Sequence, residues 1–146
     1  MMNDIFHLSR FISAHQSYYD IALREIRRGR KESHWMWYIF PQLEGLGKSS
    51  TSQYYAIHGA EEAKAFLEDP YLGGNLLEIS QALLHLDKNN IRDIFDPPDD
   101  MKLKSSMTLF SFVDDSSAVF DTVLDKYFDG RRCRKTQKYF RDRISF

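Results

Sequence analysis

Leu76, Ile79, Leu83 and Leu86 recur at the three-to-four-residue step of an α-helix, and Leu72, Ala82 and Leu84 thicken the same stripe. So wide an apolar face must be covered by other elements, and 71–87 is expected to be the central core helix. The same period returns along the chain, and nowhere do two alternating apolar runs flank a hairpin turn. An all-α fold is expected, as one domain of about seven helices over residues 1–146.

Tyr19, Ala22, Leu23 and Ile26 mark an early helix, with Ser17 as its expected N-cap, Gly29 as its stop and a shorter helix over 5–15 before it. The stretch 60–67 predicts a helix closed by Asp69 and Pro70, because proline disfavours helical geometry in the residue before it. Asn90 is expected to cap a turn reaching Phe95. Asp96, Pro97, Pro98 and Asp99 are expected to form a stop and restart that opens a helix running to about Phe112. Asp114 or Asp115 should cap the next, whose buried stripe is Phe120, Val123, Leu124, Tyr127 and Phe128 and whose end is Gly130. A last helix is expected from Thr136.

A chain of 146 residues buries enough surface to fold without staples. With 42% hydrophobic and 28% charged residues, it is neither a polyelectrolyte nor a membrane span. Residues 1–10 lack the basic flank and apolar run of a secretory leader, and the single cysteine, Cys133, has no partner for a disulfide or a zinc knuckle. A cytoplasmic, reducing location is expected. The net charge of −1 conceals two basic clusters, Arg24, Arg27, Arg28, Arg30 and Lys31, then Arg131, Arg132, Arg134, Lys135 and Lys138. Both are expected at solvated helix ends that face the negative pole of the helix dipole. A neutral chain argues against nucleic acid as the partner.

The segment 31–55 resists a purely structural account. Both tryptophans lie in it, and the unbroken apolar run from Trp35 to Pro41 covers every face of a helix or strand. Met36, Ile39 and Phe40 lack polar handles and are expected in the core. Trp35, Trp37 and Tyr38 need hydrogen-bond partners if buried and offer stacking surfaces if half exposed. Gly45 and Gly47, followed by Lys48 and Ser49, can turn backbone N–H groups onto an anion or form a flexible serine-rich turn; both readings stand open. The segment is not a P-loop, which needs a glycine where Gln42 stands and a strand where Pro41 stands.

His34 is the expected proton-transfer group of the segment, with a reference pKa of about 6.5. The other histidines stand apart without ligand spacing, so neither a metal nor a cofactor is expected, and no nucleophile elbow supports a serine triad. In 99–110, Asp99 and Asp100 suit a helix start. Ser105, Ser106 and Thr108 are poor helix formers for an interior, and either close packing or ligand contact explains them.

The run His34, Trp35, Met36, Trp37, then Phe40, Pro41, Gln42, then Gly45, Leu46, Gly47, with Tyr55 to Ile57, Glu62 and Ala63, Leu72 and Gly73, and the stretch 99–110, resembles a family of small bacterial proteins. That family is known as a conserved domain of unknown function, sometimes labelled calpastatin. The resemblance covers nearly the whole chain and implies an all-helical fold without an activity. It also implies a glycine, an aspartate and a threonine after the penultimate helix. Gly130 and Thr136 are present, but Cys133 stands at the aspartate position. Either a family activity is altered here, or the aspartate only caps the last helix, a role Thr136 can retain.

The leading functional expectation is a binding domain, with hydrolase or transferase chemistry open, for a small anionic ligand carrying an aromatic group, such as a nucleotide or nucleotide sugar. Lys31, Lys48 and Ser49 would engage phosphate, Gly45 and Gly47 would shape the loop, and Trp35 and Trp37 would stack. Gln42 would read a polar edge, Lys104 and Ser106 would join from the second stretch, and His34 would move a proton. The alternative is a protein-interaction module without a small ligand. Shape discriminates: an enclosed concavity lined by His34, Trp37 and Lys48 favours the first, a flat apolar patch the second.

Overall fold

A computed structural model describes residues 4–144. Helix α1, Ser9–Arg27, is continuous where two helices were expected. Ser17 lies on its exposed face, while Phe11, Ala14, Tyr19, Ala22 and Ile26 carry one buried stripe across the expected break. Its cap is Asp4, whose carboxylate accepts the N–H groups of Leu8 and Ser9.

Two short helices interrupt the aromatic and glycine-rich segment, α2 over Met36–Ile39 and α3 over Ser50–Tyr54. Then α4, Ala60–Glu68, runs into α5, Pro70–Leu84. Asp69 closes the first and caps the second, accepting from the N–H groups of Tyr71 and Leu72. A β-carbon on Gly73 would stand 2.0 Å from the carbonyl oxygen of Leu67, so only glycine lets the α4–α5 corner close this tightly.

Asn90 caps a single 3-10 turn, Ile91–Asp93, through the N–H of Arg92. Helix α6 spans Asp99–Ser111 and α7 spans Val119–Phe128. Neither Asp114 nor Asp115 caps α7. The chain turns again after them, and the Ser117 hydroxyl accepts from the N–H of Val119 at 3.2 Å. Asp129 and Gly130 both take left-handed geometry (φ 54° and 75°), reversing the chain into α8, Arg134–Ile144, which starts before Thr136.

Helix α5 sits centrally against α1, α4 and α7, and α6 packs on α4, α7 and α8. Phe11, Phe40, Phe66, Phe95, Phe110 and Phe120 fill the space between them, with Met36 and Ile39 in the same core. The described residues contain no strand, only one parallel bridge between Leu43 and Ile57 that ties the base of the glycine loop. No helix among them is long and apolar enough to cross a membrane.

Candidate functional site

The route to the site starts at Glu25. This buried carboxylate in α1 accepts the N–H groups of Glu32 and Ser33 (2.8 and 2.9 Å), the Ser33 hydroxyl and the Trp35 indole N–H (2.8 Å). Trp35 is thereby drawn into the core, 1% exposed. Lys31 lies 5.1 Å over the Trp35 ring and pairs with Asp99 at 2.9 Å. Burial opposes ionisation of Asp99, but hydrogen bonds from Lys31 and Lys102 hold its carboxyl below the usual range. His34 is exposed, and its carbonyl accepts from the Tyr38 hydroxyl.

The turn of α2 sends Trp37 away from this network, half-buried, into the wall of a cleft of about 1040 Å³. Its lining comes from three stretches of the chain: Trp37, Gln42 and Leu46; Met101, Lys102, Lys104 and Ser105 of α6; and the segment from Arg131 to Lys135, with Gln137. Lys102 stands 4.2 Å over the Trp37 ring. Gln42 is 6% exposed, and its Nε2 has no hydrogen-bond partner among the described residues. Half a turn about its last bond exchanges Nε2 with Oε1, so the carboxamide can offer either end to a ligand.

The electrostatics of this cleft are one-sided. Lys102, Lys104, Arg131, Arg132, Arg134 and Lys135 line it, with no aspartate, glutamate or histidine in the lining. Lys102 pairs with Asp99 and Arg132 with Asp121. Lys104, Arg131, Arg134 and Lys135 have no carboxylate partner among the described residues. The second basic cluster was expected to face a helix's negative pole; Arg131 and Arg132 do follow the C-terminal end of α7, but Arg134 and Lys135 lie in the first turn of α8, which has no acidic residue. Cations there meet the positive pole of the dipole, an unfavourable placement that an anion would relieve.

Cys133 occupies the N-cap position of α8, a role the sequence reading gave to Thr136. The Thr136 hydroxyl instead points back at the Cys133 sulfur at 3.4 Å. The hydroxyls within α6 hold this junction in place: Thr108 accepts the Cys133 N–H at 2.9 Å, and Ser105 lies 3.5 Å from the Thr136 hydroxyl. Burial works against ionisation of the Cys133 thiol. Hydrogen bonds from the hydroxyl and N–H of Thr136, the Ser105 hydroxyl and the Lys135 N–H outweigh it and bring the thiol below its ordinary range.

A second concavity, of about 450 Å³, adjoins the first across Trp37, Gln42 and Leu46 and is lined by Gly45, Gly47 and Ser52. Its rim carries an exposed hydrogen bond at 2.6 Å between the His58 ring and the Glu44 carboxylate. Ser49 caps α3 by accepting the Ser52 N–H, and the Lys48 carbonyl accepts from the Gln53 side chain.

Of the residues selected from sequence, the structure brings Trp37, Gln42 and Lys104 into the cleft and Gly45 and Gly47 into the adjoining concavity. Lys31, His34, Trp35, Lys48 and Ser49 lie outside both linings, and Ser106 is fully buried with its hydroxyl unpartnered. The concavity expected between His34, Trp37 and Lys48 is therefore not formed: of the three, only Trp37 lines the cleft. The sequence marks Cys133 only as a departure from the family pattern, leaves Ser105 open between packing and ligand contact, and puts Arg131, Arg132 and Arg134 at a solvated helix end rather than in a site. Their signal was present as a basic cluster, and only the starting point of α8 decides which pole it faces.

Residues 5–140 match the model of the family described as "Protein of unknown function (DUF1810)". No curated protein matches the chain. The crystal structure of a conserved hypothetical protein from Mycobacterium tuberculosis is similar at 43% identity, with a TM-score of 0.90 over 92% of this chain and 96% of that one.

Proposed function

This chain belongs to the DUF1810 family, and we propose that its cationic cleft binds a small phosphate-bearing ligand with a flat aromatic group, of the nucleotide class. The observation that carries this reading is the set of cations without carboxylate partners at the N-terminus of α8. Nothing in the fold requires them at that pole, and a phosphate group would satisfy both the side chains and the helix dipole. The apolar side of the cleft, Trp37, Leu46, Pro98 and Met101, suits the aromatic part. Gln42 supplies an amide in the wall between the two concavities, where a polar edge of the ligand would pair with it.

Calorimetric titration with ADP tests the reading. Arg134→Ala and Lys104→Ala should each weaken binding roughly tenfold, about 1.4 kcal/mol, and binding should weaken as salt rises. Neither variant should melt below the native protein in phosphate-free buffer, because each removes a cation that repels its neighbours. Saturable binding left unchanged by both substitutions would place the ligand elsewhere, and absence of binding would remove the reading.

A further inference from the structure

We propose that Cys133 is the nucleophile of this cleft and exchanges with anionic disulfides of low-molecular-weight thiols. The inference rests on the reading of the cleft as an anion site and adds chemistry to it. Three observations place the reaction at this sulfur. The thiol is half-buried on the cleft wall, so it is reachable from the same space as Lys104, Arg131 and Arg134. It sits at the N-cap of an eleven-residue helix, where the Thr136 hydroxyl donates to it at 3.4 Å. Gln42 lines the same cleft, more than nine-tenths buried and with an unpartnered nitrogen, a polar group left for a ligand to satisfy.

The lining also selects among electrophiles. It holds no carboxylic acid and no imidazole, so nothing there that titrates near neutrality can protonate an alkoxide leaving a phosphate or carboxylate ester. A thiolate leaving group needs no such acid. The Cys133 thiolate attacks one sulfur of the disulfide, forming a new S–S bond as the old one breaks. The electron pair departs on the released thiolate, which takes its proton from water. The disulfide is the oxidant, and excess reduced thiol reverses the step. Anionic groups on the disulfide would rest on Lys104, Arg131 and Arg134, whereas a neutral disulfide gains nothing from them.

The test compares two chromogenic aromatic disulfides on the native protein, the dianionic dithiobis(nitrobenzoate) and the neutral dithiodipyridine, each referred to its rate with N-acetylcysteinamide. The cleft should accelerate the anionic reagent at least tenfold more than the neutral one. Inorganic phosphate should suppress that excess, Arg134→Ala and Lys104→Ala should each reduce it several-fold, and Cys133→Ser should abolish reaction. Equal acceleration of both reagents, or an excess unaffected by phosphate and by both substitutions, would overturn the proposal. Calorimetry with ADP on Cys133→Ser keeps the two readings separate. Retained ADP binding with no anionic preference in the native protein sinks the nucleophile alone, and a clear preference without ADP binding leaves the nucleophile standing and removes the nucleotide.

Discussion

Arg10→Met should destabilise the chain by about 3–5 kcal/mol, the usual consequence of breaking a buried ion pair from one side. Arg10 and Glu62 are paired at 2.7 Å with side chains only 3% and 2% exposed. The guanidinium also donates to the carbonyls of Phe6, His7, Tyr54 and Ala56, which ties α1 to the segment between α3 and α4. Removing it leaves the Glu62 carboxylate buried without its cation and takes this donor from the carbonyls of Phe6, Tyr54 and Ala56, while the His7 carbonyl keeps the backbone N–H of residue 10. The double variant Arg10→Met, Glu62→Leu should regain the part due to the stranded charge but not the part due to the carbonyls. It should therefore unfold between the single variant and the native chain. Denaturant unfolding at neutral pH measures this; a single variant within 1 kcal/mol of native on the order-of-magnitude scale of such pairs would contradict it.

The second large effect is expected at Glu25. Burial raises its pKa, but the hydrogen bonds from Ser33, Glu32 and Trp35 win and hold the carboxyl at about 2, against an ordinary 4.5. A folded pKa below the unfolded one means the unfolded chain binds the proton more readily. The stabilisation is therefore complete above pH 4.5 and is lost as pH falls toward about 2. The gap corresponds to roughly 3 kcal/mol. Glu25→Gln should lose about that much at neutral pH, and its stability should change less across the acid range than that of the native protein. Urea unfolding at a series of pH values measures both, and parallel acid profiles for the two proteins would contradict the assignment. The same substitution should loosen 31–35, the stretch that delivers Trp37 to the cleft.

Much of the fold was legible because it depends on local periodicity. Helices α5 and α7 follow from their apolar stripes and α6 from its proline and acidic start, and Asn90 caps where its side chain suggests, while Asp69, expected only to close α4, also caps α5. Other features depend on contacts across the chain. Ser17 looks like a helix start, but a buried stripe carried past it on a neighbouring face keeps α1 intact. Asp115 has a capping side chain but a left-handed backbone, and the work passes to Ser117. The two adjacent indoles have opposite fates because a carboxylate ten residues away takes one of them. Met36, Ile39 and Phe40, with no polar group to satisfy, are buried as their chemistry requires.

The cleft was harder to read. A cluster of cations has the same composition at either pole of a helix. Only the Thr108 and Ser105 hydroxyls, which fix where α8 begins, turn Arg131 to Lys135 from a solvated helix end into one wall of a cavity. Those hydroxyls looked out of place in a helix interior, and close packing between α6 and α8 accounts for them.

The central claim, an anion-binding cleft beside Trp37, is tested most directly by the two indole N–H resonances in an NMR titration with ADP. Trp37 lines the cleft, while the Trp35 indole is bonded to Glu25 in the core and serves as the internal reference. The Trp37 signal should move saturably with ADP, and Arg134→Ala should shift the midpoint roughly tenfold, while the Trp35 signal stays in place. A Trp37 signal that does not move, or two indoles that drift together without saturating, would contradict the account.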